Sequence, residues 1–387
     1  MTDLSKGGSS TGTPVLDPSA GDAKIGKAQP GKIVIGLVGM VVVVWFILQV
    51  FLAFGLRPEW FLDSKIVIGV VAVIVGVGGA GVFFYMLNMA VEGLPAKVSA
   101  KVMPYAYILP GFALITLMLL YPTVQTINYA FANKDATAYV GFENFSYIFG
   151  NEAFRQSLLN NVLWLILVPA VTVGIGIVVA VLADKLSQRG EKVAKSSIFL
   201  PMAISFVGAS AIWSLIYDYT ADGDQTGLLN AIWVKLGGEA QTWLQIPDFK
   251  LNSILLMVIL VWLQTGFSMI LLSSAIKGVP EDTIEAARID GASEFKIFSR
   301  VVIPQIKGTI ITVFITVTIL VLKVFDIVYV MTNGRFETNV IANLFFNELF
   351  ANGQSGRASA IVVVLLIAVM PILIYQVRHF RAEEAGR

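Results

Sequence analysis

Residues Ile33 to Leu56 read IVIGLVGMVVVVWFILQVFLAFGL, an unbroken run of 24 residues in which Gln49 is the only strongly polar side chain. A helix of that length exceeds the roughly 30 Å hydrocarbon core of a bilayer. A secretory signal would carry a shorter apolar stretch followed by a small-residue cleavage site. Here Phe54-Gly55-Leu56-Arg57 follows instead, which predicts a retained transmembrane helix. Seven further runs reach spanning length: about Ile66 to Asn88, Pro104 to Phe131, Leu158 to Ala183, Ile198 to Tyr217, Leu251 to Ile276, Ile310 to Met331 and Ala358 to Val377. The expectation is an all-α polytopic membrane protein of eight spans.

Composition points the same way. Hydrophobic residues make up 56% of the 387 and charged ones only 14%. Soluble domains average about 25% charged, so the polar surface needed by a water-facing globule of this size is missing. The net charge of +1 argues against nucleic acid as a partner. No cysteine is present, which removes disulfides, zinc thiolates and thiol catalysis, and the one histidine, His379, lies in a charged C-terminal segment. Met1 to Lys32, rich in Gly, Ser, Thr, Pro and Lys, reads as a disordered tail.

Lys and Arg set the orientation. With the N-terminus inside, eighteen of the 27 fall in the cytoplasm, among them Lys32, Lys185, Lys195, Lys277, Arg288 and Arg378, and eight fall outside. Both termini are therefore expected inside. Three substantial loops are expected outside, 132–157, 218–250 and 332–357, and the longest inside loop is 277–309.

That inside loop begins Lys277-Gly278-Val279-Pro280-Glu281-Asp282-Thr283-Ile284-Glu285-Ala286-Ala287-Arg288-Ile289-Asp290-Gly291-Ala292-Ser293-Glu294-Phe295. Pro280 with Glu281 and Asp282 predicts a helix start, since proline suits the first turn and carboxylates oppose the positive helix end. Gly291 supplies a left-handed stop. Ser293, Phe295, Phe298, Val301 and Val302 predict a second short helix ending before Pro304. Charge runs of this kind are more often solvated connectors. Two helices joined at a glycine, with the small Ala286 and Ala287 beside it, instead make a compact feature that a partner surface can approach.

The ordered string Glu285-Ala286-Ala287-Arg288-Ile289-Asp290-Gly291-Ala292, with Phe298, Ile303 and Pro304 downstream, resembles the EAA loop of type I ABC importer permeases. The resemblance extends from about Pro104 to the C-terminus. Lys323 to Thr332 is similar to the segment that follows the loop in the carbohydrate branch. Asn333-Gly334-Arg335, in place of the Gly-Gly-Pro common there, is similar to the alpha-glucoside permeases. The two spans before Pro104 resemble the N-terminal extension of the eight-helix maltose permease subunit.

The resemblance implies a tail over 1–32, two extra helices over 33–103, a six-helix permease core over 104–380 and a cytoplasmic end over 381–387. It implies a bacterial inner-membrane location and contact with a cytoplasmic ATP-binding-cassette ATPase dimer through Glu285, Ala286, Ala287, Asp290 and Gly291, with Glu285 orienting the loop by hydrogen bonds. It also implies a second, different permease chain and an extracytoplasmic sugar-binding protein. ATP and magnesium would then belong to the ATPase, with no cofactor or metal on this chain and no catalytic residue.

Lys323 and Asp326, three apart on the expected seventh span, should share a helix face. Each charge costs about 2.5–3.5 kcal/mol at a helix centre, against roughly −0.3 to −0.6 kcal/mol for each Leu, Ile, Phe or Val. Fifteen such residues lie between Ile310 and Val330, so the margin is narrow and the pair should avoid lipid. A place on the translocation path and a structural ion pair are both open readings. Aromatic faces and hydroxyl partners suited to sugars are available at Trp213, Tyr217, Gln264, Phe325, Asp326 and Tyr329, although a Trp or Tyr near a span end is more often an interfacial anchor.

A rival reading makes Lys323 and Asp326 the coupling charges of an ion-driven secondary transporter, which calls for matched, broken halves. Two glycine motifs carry no nucleotide chemistry. Gly76-Val77-Gly78-Gly79-Ala80-Gly81 lies within an apolar span, where small residues serve helix packing. Gly21 to Ala28 is one residue short of a phosphate loop and lacks its hydroxyl.

Overall fold

A computed structural model of the chain describes residues 28–385. The tail expected over 1–32 therefore falls outside the described residues up to position 27, as does most of the Gly21–Ala28 stretch. Pro30 to Lys32 belong to the first helix instead, because proline at its first position loses no hydrogen bond. The chain divides into two compact units, 1–122 and 123–387, with the division inside the helix Tyr121–Tyr129.

In the first unit, α1 (Pro30–Leu56) and α2 (Lys65–Glu92) form an antiparallel hairpin. A Cβ added at Gly36 would lie 2.6 Å from the backbone of Ala90 and Met86, so the glycine sets how closely the helices approach. Of the glycines in the 76–81 motif, only Gly79 packs against α1; Gly76, Gly78 and Gly81 face open space. Helix α3 (Ala96–Tyr129) follows. Its Tyr107 stacks on Phe84 and donates to Asn88 Oδ1 at 2.6 Å. A π turn at Thr116–Leu120 pairs the Tyr121 N–H with the Thr116 carbonyl just before Pro122. The widened turn makes room for a ring that would otherwise strike the preceding carbonyl.

The second unit is built around α9 (Leu251–Lys277). Packed on it are α5 (Glu152–Ala183), which follows α4 (Glu143–Gly150), and α6 (Gln188–Phe199). Helices α7 (Phe206–Ile216) and α12 (Lys307–Leu322) also pack on α9. Some 61% of the apolar window of α9 is buried, against 33% for α5, so α9 is the axis of the unit. Its contacts are close because they are small. A Cβ on Gly266 would meet the Ile198 carbonyl oxygen at 2.4 Å and the Phe199 Cα at 2.6 Å. One on Gly176 would meet the Ser268 Oγ at 2.1 Å. The other helices are α8 (Leu228–Lys235), α10 (Glu281–Ile289), α11 (Glu294–Gln305), α13 (Asp326–Met331), α14 (Ile341–Ala351) and α15 (Ser355–Ala385).

Among the described residues six helices are long and apolar enough to cross a membrane, and two bent helix pairs raise the number to eight. A bend corrects the expected fifth span and a break at 323–325 the expected seventh, both read as continuous from sequence. The fifth turns by 105° between Ala203 and Phe206. Pro201 contributes no N–H, Ile204 is extended, and the Ser205 hydroxyl caps a new helix by accepting from Gly208 N at 3.1 Å. The seventh turns by 70° between Gln305 and Lys307, then stops at Leu322. The chain restarts at Asp326, whose carboxylate favours a helix start.

Two readings fall with the seventh span. Lys323 and Asp326 lie on either side of a break, share no helix face and form no ion pair within 4 Å. The helix after Ser293 does not end before Pro304. It runs to Gln305, because a π turn at Phe298–Val302 again accommodates the proline.

Buried amides bind the connecting chain to the bundle. Asn160 Nδ2 donates to the carbonyls of Glu337 and Asn339 at 2.7 and 2.8 Å, and Asn161 Oδ1 accepts from Ile341 N at 2.8 Å. Asn252 Nδ2 donates to the Phe336 carbonyl at 2.5 Å.

The close seat of α9 leads to a direct expectation. Gly266→Ala should destabilise the protein by about 1–3 kcal/mol through overpacking against backbone. Gly174→Ala, at a position with nothing within 4 Å, should be neutral or slightly stabilising. Thermal unfolding of the two variants in detergent checks the contrast.

Candidate functional site

Three regions along α9 carry the residues singled out from sequence. At its Lys277 end lies the α10–α11 pair. Pro280 precedes α10, Glu281 and Asp282 occupy its first turn, and Gly291 takes φ 77°. Gly291 N–H bonds the Arg288 carbonyl at 3.0 Å and Ala292 N–H the Ala287 carbonyl at 3.1 Å. That is the Schellman pattern of a glycine-stopped helix. Across the turn, Arg288 Nε donates to Glu294 Oε1 at 2.9 Å and its Nη2 to Oε2 at 3.3 Å. The bond from Arg288 holds the Glu294 carboxyl below its ordinary range, and the same bond raises the Arg288 guanidinium. This fork fixes the angle between the helices.

Glu285, Ala286, Asp290 and Gly291 are exposed and Ala287 half-buried. The Glu285 carboxylate makes no hydrogen bond among the described residues. Within this chain, the side-chain bonds across the turn are those of Arg288 and Glu294. Ile289 and Phe295, flanking the turn, are 86% and 80% exposed, an apolar pair held out from the bundle end.

Sequence reasoning missed the ion cluster that anchors this end of α9. Lys195 Nζ lies 2.8 Å from Asp184 Oδ1 and 2.6 Å from Glu191 Oε1, and also bonds Ser273. Ser273 Oγ donates to Asp184 Oδ1 at 2.8 Å, and Lys277 pairs with Glu191. The bonds from Lys195 and then Lys277 hold the Glu191 carboxyl at about 2. Glu191 and Lys195 sit on the polar first turns of α6, before its apolar part. Only the Glu191–Lys195 spacing of four was visible in sequence; Asp184 and Ser273 are brought in by tertiary packing.

Midway along α9, a cavity of about 450 Å³ lies where the broken spans meet it. Met202 and residues 204–207, from the first break, line it together with Gln264 and Leu320 and with Asp326 at the second. Neither Gln264 nor Asp326 has a hydrogen bond or ion pair with the rest of the chain. Two polar groups far apart in sequence thus share one cavity with no protein partner.

The other expected residues lie elsewhere. Trp213 packs on Tyr217 and Trp262, with ring centroids 5.2 and 5.8 Å apart, and lines neither this cavity nor the next. Tyr217 donates to the Leu255 carbonyl at 2.9 Å and borders a cavity of about 350 Å³ at the far end of α9, beside Trp243. Phe325 stacks on Tyr329 at 5.1 Å, and both touch Phe346 in an aromatic group outside either cavity.

A family model described as the binding-protein-dependent transport system inner membrane component matches residues 172–380, a span that holds the central cavity and the α10–α11 pair. The chain belongs to this family. It is an ABC importer permease.

Among its relatives is the alpha-glucoside transport system permease protein AglF of Rhizobium meliloti, 43% identical over 338 residues, covering 84% of this chain and 99% of that one. The osmoprotective compounds uptake permease protein GgtC of Synechocystis is 46% identical over 282 residues, covering 73% of this chain and all of its own length. A chain of a bacterial ABC transporter involved in import of the acidic polysaccharide alginate superposes with a TM-score of 0.63 at 20% identity, over 74% of this permease and 97% of its own length. That likeness shows the shared fold.

Proposed function

We propose that this permease carries α-glucosides such as maltose, trehalose or sucrose inward by alternating access, driven by ATP hydrolysed on a separate ATPase pair. The observation that carries the reading is the placement of two features on one rigid helix. The Lys277 end of α9 leads directly into the bent α10–α11 pair, and its Gln264 lines a cavity framed by two broken spans. The 43% identity to AglF supports the sugar class.

In this mechanism the N- and C-termini lie in the cytoplasm, as the Lys and Arg bias indicates. A soluble extracytoplasmic receptor delivers sugar to the opposite end, and a second, different permease chain completes the path. Ile289 and Phe295 enter a cleft on the ATPase beside Glu285, Ala286, Ala287, Asp290 and Gly291. Magnesium and ATP stay on that partner. When the ATPase pair closes, the α10–α11 pair moves as a unit because the Arg288–Glu294 fork braces its turn. The bend at 203–206 and the helix break at 323–325 let the flanking segments tilt about α9, opening the cavity to one side or the other. ATP shifts the balance only so far as the ATPase binds the two states with different strength. Gln264 and Asp326, free of protein partners, receive sugar hydroxyls. The unpaired Lys323 and Asp326 give the ion-driven alternative no support.

Reconstituted with receptor, second permease and ATPase, the protein should accumulate labelled maltose, trehalose or sucrose in vesicles only when ATP is supplied. Uptake on an ion gradient without ATP, or none of any α-glucoside, contradicts the proposal. Separately, Gly291→Val puts a β-branched residue at φ 77°, a strain of roughly 1–2 kcal/mol or more. The turn should rearrange, and ATPase co-purification should fall sharply while membrane insertion is unchanged. Co-purification at the wild-type level would count against the docking role.

A further inference from the structure

The cavity beside Trp243 has no part in the mechanism above. About 350 Å³ in volume, it is lined by Tyr217, Tyr219, Trp243, Gln245, Thr332 and Phe336 among others. That volume falls in the range of small-ligand pockets, and the mixture of aromatic faces with a few polar groups is one that suits pyranose rings.

Both walls are built rather than left as slack between loops. On one side, the fully buried Asn230 donates to the carbonyls of Asp218 and Gln241, each at 2.9 Å, and accepts from Gln241 N at 2.9 Å. This clamps the two strands of chain that lead to Tyr219 and Trp243. On the other side, Phe336 and Glu337 take φ of 56° and 61°, a left-handed conformation that side chains with a Cβ rarely adopt. Asn252 and Asn160 hold this pair through the Phe336 and Glu337 carbonyls. Local strain maintained by buried amides is characteristic of positions that serve a site. Trp243 packs edge-on against Trp233, with ring centroids 5.9 Å apart, which fixes its ring at the cavity wall.

We propose that this cavity is a second carbohydrate subsite, which takes a small saccharide at the receptor-facing end of α9 before it reaches Gln264 and Asp326. The inference rests on the sugar-permease reading. Trp243 and Tyr219 cover the apolar faces of a sugar ring, and the exposed Gln245 amide meets its hydroxyls. Because both walls are held before any ligand arrives, little ordering is needed on binding.

The test uses the complete assembly in lipid nanodiscs, without receptor or nucleotide, with labelled maltose as the probe in equilibrium dialysis. Receptor-driven maltose uptake is measured in parallel on the same variants. Trp243→Leu should weaken maltose retention by roughly three- to tenfold and slow uptake, with Trp243→Phe intermediate, since a smaller aromatic face remains. Gln245→Leu, at an exposed position that tolerates change, should show a smaller loss in the same direction. Unchanged retention in Trp243→Leu and Gln245→Leu, with wild-type uptake intact, overturns the subsite and leaves the permease reading standing. Weakened pairing of the two permeases with unchanged retention assigns the cavity to a neighbouring side chain and also overturns it. If the wild-type assembly imports none of maltose, trehalose and sucrose, the sugar reading itself fails and takes the subsite with it.

Discussion

Two contacts without room for a methyl group hold the second unit together. Gly266 lets α9 lie against the backbone at Ile198 and Phe199, and Gly176 lets α5 lie against Ser268. Helices at that separation gain dispersion along their length and are costly to pry apart, which suits a membrane interior where apolar burial alone gives no advantage over lipid. Every site considered above is fixed relative to this one helix. Trp243 is at one end, Gln264 at the middle, and Lys277 at the other end, where the ion cluster of Asp184, Glu191 and Lys195 pins it to α6.

Against that fixed axis, the two broken spans are the parts with freedom to move. A backbone break inside a bilayer is tolerated only where it is covered by protein or lines a wet cavity. The break at 203–206 and the residues flanking the break at 323–325 border one common cavity with α9, so the interrupted backbone faces a cavity and not lipid. The same economy explains Asp326. A carboxylate that costs about 2.5–3.5 kcal/mol at the centre of an intact lipid-facing helix instead opens the first turn of α13, where the helix dipole favours it.

Much of this was legible in the sequence, and the parts that were not have a physical cause. Runs such as Ile33–Leu56 need no partner to declare themselves, because their length and apolarity answer to the bilayer. The α10 helix was legible too, since Pro280, Glu281, Asp282 and Gly291 act locally at its ends. The bends were not. No charged or strongly polar residue interrupts Ile198–Ile204 or Ile310–Leu322, so hydropathy sees a continuous span where Pro201, Ser205 and Asp326 redirect the backbone. The π turns before Pro122 and Pro304 escaped for the converse reason: a proline that reads as a stop is absorbed by widening the preceding turn. Among the candidate residues, Gln264 and Asp326 do come together, whereas Trp213, Phe325 and Tyr329 pack among other aromatics. Their composition suggested sugar contact, but only tertiary contacts could separate a wall of the cavity from its surroundings. The bonds that tie Ser273 and Lys277 into the ion cluster, and those of Asn160 and Asn252, join residues between 78 and 179 positions apart, beyond any local signal.

The account depends most on the claim that the Ile289 end of α9, and not the Phe249 end, is where the ATPase acts. The chain has no cysteine, so one introduced thiol reports without background. In the assembled transporter, Ile289→Cys labelled with a benzophenone maleimide should photo-cross-link to the ATPase subunit, whereas Phe249→Cys, fully exposed at the opposite end and labelled in the same way, should not. Cross-linking from position 249, or from neither position in an assembly that still hydrolyses ATP, would contradict it.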